Sequence, residues 1–72
     1  MTKYRGVVFD MYYPTRDNDE SCDGFNTPEE AFEWAKKTAH SKFFLYIDYW
    51  AEDEDTDEPI EEYMGRVQPK WK

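Results

Sequence analysis

Nine carboxylates lie within residues 48–62, with no lysine, arginine or histidine among them. In the run W-A-E-D-E-D-T-D-E-P-I-E-E-Y, residues 50–63, eight of them are framed by Trp50 and Tyr63. Carboxylates this dense can converge on a hard cation, stay solvated in a loop, or present negative charge to a basic partner. Asp53, Asp55 and Asp57 repeat the spacing of the first three oxygen ligands of a calcium loop. Glu58 then stands where a glycine should make the sharp turn, and Met64 where a closing carboxylate belongs.

A closer match lies upstream. Asp19, Ser21 and Asp23 offer oxygens at alternate positions, Gly24 follows at the sixth, Thr27 at the ninth and Glu30 at the twelfth. Over residues 19–30 the chain thus resembles the calcium loop of the EF-hand family, which would imply weak calcium binding there. The preceding residues alternate like a strand and contain Pro14, however, and Asn26 replaces the usual aliphatic residue at the eighth position. Glu30 also completes a helix cap that needs no ion. A polar loop leading into a capped helix accounts for the same residues, so no metal ligand is assigned and no cofactor is expected.

Catalytic groups are sparse. His40 is the only histidine and falls at a helix end, where it complements the helix dipole. Cys22, the only cysteine, sits among Glu20 and Asp23, which oppose thiolate formation. There is no glycine-rich phosphate loop, and Glu61 and Glu62, as neighbours on a strand, point to opposite sides. The chain is read as a non-enzyme. A single cysteine allows no intrachain disulfide, the longest apolar run (F-F-L-Y-I, 43–47) is strand-sized, and the amino terminus lacks a signal peptide's pattern. These features lead to an expectation of a soluble cytoplasmic protein without a membrane partner.

Seventy-two residues predict one domain, 1–72, near the lower size for a self-sufficient core. Three Trp, six Tyr and five Phe supply much of its burial. Residues 1–47 carry six basic and eight acidic side chains, and residues 63–72 three basic ones, so the net charge of −8 originates in the segment between. Such a field repels nucleic acid and attracts basic proteins.

The elements follow from periodicity and punctuation. Residues 3–13 alternate as a strand that Pro14 ends, and residues 14–26 read as a long loop. Thr27, Pro28 and Glu30 open a helix predicted over Pro28–His40, with Ala31, Phe32, Ala35 and Ala39 as its apolar stripe and Trp34 at the margin. Strands are predicted over 42–50 and 60–67, joined as a hairpin with the acidic run as a long loop. The expected fold is α+β: β-α-β-β, a three-stranded, mainly antiparallel sheet with one helix on one face.

One helix covers only one face. If Val7, Phe9, Leu45 and Ile47 take the helix, the other face presents Tyr4, Tyr12, Phe44, Tyr46 and Trp50, with Asp10 and Asp48 among them. Either this face is an interface, or the carboxy-terminal tail with Trp71 folds over it.

In size, charge and lack of catalytic groups the chain is similar to the small acidic inhibitors of phages and mobile elements: anti-CRISPR, anti-restriction and uracil-DNA glycosylase inhibitor proteins. The residues that carry this are Asp48, Glu52, Asp53, Glu54, Asp55, Asp57, Glu58, Glu61 and Glu62, with Tyr46, Trp50 and Tyr63. The resemblance implies a nucleic-acid mimic that occupies the groove of a basic nucleic-acid-binding protein in the host cytoplasm. It implies no direct contact with nucleic acid. The second reading is an adaptor or homodimerising module that binds through the aromatic sheet face.

Overall fold

The computed structural model describes residues 2–10, 19–41 and 47–67. Four strands and one helix follow in the order β1 (Tyr4–Asp10), β2 (Asp19–Phe25), α1 (Pro28–His40), β3 (Ile47–Asp53) and β4 (Glu58–Val67). The sheet is antiparallel throughout, with strand order β2-β1-β3-β4, and α1 lies across one face. The α+β class and the single covering helix agree with the sequence reading. The strand count does not.

The extra strand is β2, which occupies half of the stretch expected to be a loop. Its residues, D-E-S-C-D-G-F, are poor strand formers, and all but Phe25 are exposed. It forms because β1 offers an unpaired edge, and its acids then discourage further pairing at the new one. A bulge interrupts its register between Cys22 and Phe25, where Gly24 adopts φ 89°, a conformation that favours glycine. Extension of residues 19–25 also removes the calcium-loop geometry. Asp19, Ser21 and Asp23 line up along a strand, and Glu30 Oε1 accepts a hydrogen bond from Asn26 N at 3.3 Å. Among the described residues no three carboxylate, thiol or imidazole groups converge as a cation site requires.

The helix matches its predicted span at both ends. Thr27 Oγ1 accepts from Glu30 N at 3.2 Å, Pro28 fills the first turn, and Ser41 Oγ donates to Thr38 O at 2.7 Å. Ala31, Ala35 and Ala39, spaced by four, are completely buried. Such small side chains let the helix axis approach the sheet closely. Gly6 of β1 completes the fit, because a Cβ there would strike the Ala31 carbonyl oxygen and stand 2.7 Å from Trp34 Cε3.

The core is Val8, Ala35, Ala39, Ile47, Tyr49 and Val67, with Phe32 and Trp34 packed at its edge. Cross-strand pairing places Gly6 opposite Ala51 and Val8 opposite Tyr49, so these residues share the helix face. Val7 pairs with Trp50, and Phe9 with Asp48, on the other face. This corrects the predicted faces of the first strand: Val8, not Val7 and Phe9, points at the helix. The β3 faces stand as expected for Ile47, Asp48, Tyr49 and Trp50. Residues 11–18, 42–46 and 68–72, with Tyr12, Phe44, Leu45, Tyr46 and Trp71, lie outside the described residues.

Gly6→Ala should therefore destabilise the protein by about 1–3 kcal/mol, because relief of the clash needs helix or strand to move. Urea unfolding followed by circular dichroism measures it, and an unchanged midpoint would show that the close approach is not required.

Candidate functional site

The acidic segment is not a long loop. β3 continues to Asp53 and β4 begins at Glu58, so only residues 54–57 form the turn. Asp53 builds it: its carbonyl accepts from Asp57 N at 2.7 Å, and its Oδ1 accepts from Asp55 N at 2.8 Å. Aspartate suits this position because its short carboxylate reaches the backbone two residues on. Asp57 closes the turn at φ 56°, a left-handed conformation that Asp tolerates better than most residues.

Two tethers hold the turn against the sheet. Glu54 N donates to Lys3 O at 3.0 Å, and Glu54 Oε2 accepts from Gly24 N at 2.7 Å. The β2 bulge, which frees the Gly24 amide from the ladder, thus supplies a donor to the acidic tip.

Arg5 organises the remainder. It stands opposite Glu52 in the β1–β3 register, and its Nη1 donates to Glu52 Oε1 at 2.6 Å and to Asp57 Oδ1 at 3.1 Å. The second Glu52 oxygen accepts from Trp50 Nε1 at 3.1 Å. Hydrogen bonds to these two carboxylates raise the Arg5 pKa further above its already high ordinary value, so it is a permanent cation. At the other end of the same face, Arg66 grips Asp48 through Nε at 2.6 Å and Nη2 at 3.3 Å. Each such surface pair contributes about 0–1 kcal/mol, so their larger effect is to fix where the carboxylates stand.

The sequence-predicted residues consequently fall into separate groups. Asp48, Trp50 and Glu52 lie in line on the face opposite the helix. Asp53, Glu54, Asp55 and Asp57 make the turn and its base, while Glu58, Glu61 and Glu62 are exposed along β4. Tyr63 does not join the others. It packs on the helix side, with its ring centroid 5.9 Å from that of Phe32, so it does not frame the run opposite Trp50. Tyr46 lies outside the described residues. Arg5, Arg66 and the Gly24 amide were not singled out by sequence; strand alternation could have placed Arg5 beside an acid only once the register was known.

His40 is exposed at the end of α1, 6.3 Å from the Tyr49 ring between centroids, and Cys22 is exposed on the edge strand. No helix of the described residues is long and apolar enough to cross a membrane. Comparisons with protein-family models, curated proteins and solved structures gave no match, and the functional reading rests on geometry and charge.

Tyr63 makes the helix-side arrangement testable. Burial against its neighbours, the charge and hydrogen bond of Glu29, and the charge of Glu62 together raise its phenol above the ordinary value of 10.0. A raised folded value means that its contribution to stability is full below about pH 10 and is lost as pH rises through the folded value. The ultraviolet difference titration between the protein and Tyr63→Phe should show a phenol ionising above the ordinary value. A difference centred at or below it would contradict the arrangement.

Proposed function

We propose that the protein is a non-catalytic inhibitor that docks its acidic hairpin into the cationic groove of a nucleic-acid-binding protein, with carboxylates standing in for phosphates. One observation carries this reading: five carboxylates fix the hairpin, and the other four are left exposed on it without an ion pair to the described residues. Arginines bond to Asp48, Glu52 and Asp57, three of the nine acids in residues 48–62. Asp53 and Glu54 are spent on the turn and its tether. Asp55, Glu58, Glu61 and Glu62 are exposed and carry no ion pair to the described residues.

A mimic needs negative charges at defined spacings, because a groove selects phosphates by position as well as by sign. A two-stranded ribbon with a four-residue turn supplies two rows and a tip. The same field disfavours nucleic acid itself, whose phosphates the segment would repel.

Four carboxylates take no part in the described bonds of the hairpin, and the reading assigns the binding to them. Asp55→Asn, Glu58→Gln, Glu61→Gln and Glu62→Gln combined leave every hydrogen bond of the turn intact. Displacement of a labelled DNA duplex from a panel of purified basic DNA-binding enzymes, read by fluorescence anisotropy, measures the activity. The protein should displace duplex from at least one enzyme, weaken steeply between about 50 and 500 mM salt, and lose roughly tenfold or more in the quadruple variant with its melting temperature kept. Displacement from no enzyme, or equal displacement by the variant, would refute the reading.

A further inference from the structure

The sheet face away from the helix carries an apolar strip that the hairpin's charge does not account for. Phe9, Trp50 and Met64 share this face around Val7, which is itself buried: Val7 pairs with Trp50, and Trp50 with Met64. Met64, on the edge strand β4, is half exposed, and no other large apolar side chain of the described residues is as open. Beside it an open groove of about 460 Å³ is lined by Asp48, Trp50, Met64, Gly65 and Arg66. Among the described residues, no helix packs on this side.

Trp50 joins the strip to the acidic hairpin. Its indole N–H is bonded to the same Glu52 that Arg5 holds, so the ring is set in orientation before any partner arrives. Interface energy concentrates in such rigid aromatic anchors, whereas rim charges mainly govern approach and salt dependence.

Charge decides the occupant. A second copy would bring another net −8 against this one, and a nucleic acid or an anionic membrane would be repelled likewise. A basic protein is attracted. Asp48 and Glu52 at the ends of the strip are already paired with Arg66 and Arg5. The exposed hairpin acids Glu58, Glu61 and Glu62, however, precede Met64 on the same strand and meet cations around an apolar centre.

We propose that this face is the apolar half of the docking surface whose charged half is the hairpin, and that it receives an apolar side chain set among lysines and arginines of the partner. The inference rests on the acidic-docking reading above and adds to it a contact that salt does not screen.

Two fluorescein-labelled peptides of equal charge test it: Lys-Leu-Lys-Lys-Leu-Lys and Lys-Ser-Lys-Lys-Ser-Lys. Both should bind the full-length protein at low salt and weaken with salt, and the leucine peptide should bind about fivefold tighter or more, an advantage that persists at about 300 mM salt. Met64→Gln, an exposed position that leaves the core untouched, should abolish the advantage without altering the serine peptide. The quadruple carboxamide variant should weaken both peptides and keep their ratio. Equal affinities, or a leucine advantage unchanged in Met64→Gln, would overturn this inference while salt-dependent serine-peptide binding left the hairpin reading standing. Serine-peptide binding unaffected by the quadruple variant would instead overturn the hairpin reading. Self-association in sedimentation that Met64→Gln removes would place a second copy on the face and overturn the inference as well.

Discussion

The helix lies on the sheet only because nothing stands between the Gly6 backbone and the carbonyl of Ala31. That approach seats Ala31, Ala35 and Ala39 flush against the central strands, so a single short helix suffices to close the core. The larger side chains then fill the margins: the Phe32 and Tyr49 rings meet at 5.3 Å, and Phe25 and Trp34 at 6.5 Å. Aromatic bulk at the rim compensates for alanine in the middle, which is how so small a chain gathers enough burial.

The same approach fixes the charged end of the molecule. Seating Gly6 and Val8 toward the helix sends Arg5 and Val7 to the other face, and Arg5 then meets Glu52 across the β1–β3 pair. One guanidinium orders an acidic ribbon without cancelling it. Charge and fold are thereby linked through strand parity: the residue that faces the helix determines which residue can hold the hairpin.

The helix was legible in the sequence because capping residues and an alanine stripe specify ends and face independently, and both agree. The hairpin was legible as a pairing, but its turn was read too long, since acidic residues and Pro59 look like loop while their backbone pairs with Glu52 and Asp53. The face of β1 was ambiguous because Val7, Val8 and Phe9 are consecutive apolar residues; only contact with the helix, at Gly6, selects Val8. β2 left almost no trace, since an exposed edge strand needs backbone partners more than apolar side chains. The acids of the candidate site could be named in advance, whereas the partners that set their geometry are distant in sequence. Arg5 and Gly24 reach the hairpin from forty-seven and thirty residues away.

The bond from the Gly24 amide to Glu54 ties the weakest strand of the sheet to the tip of the hairpin on its far side. β2 alone has little apolar surface to hold it, and a four-residue turn alone would fray. Joined by this bond, each restrains the other. Loss of that one bond would therefore loosen the outermost strand and the hairpin tip together.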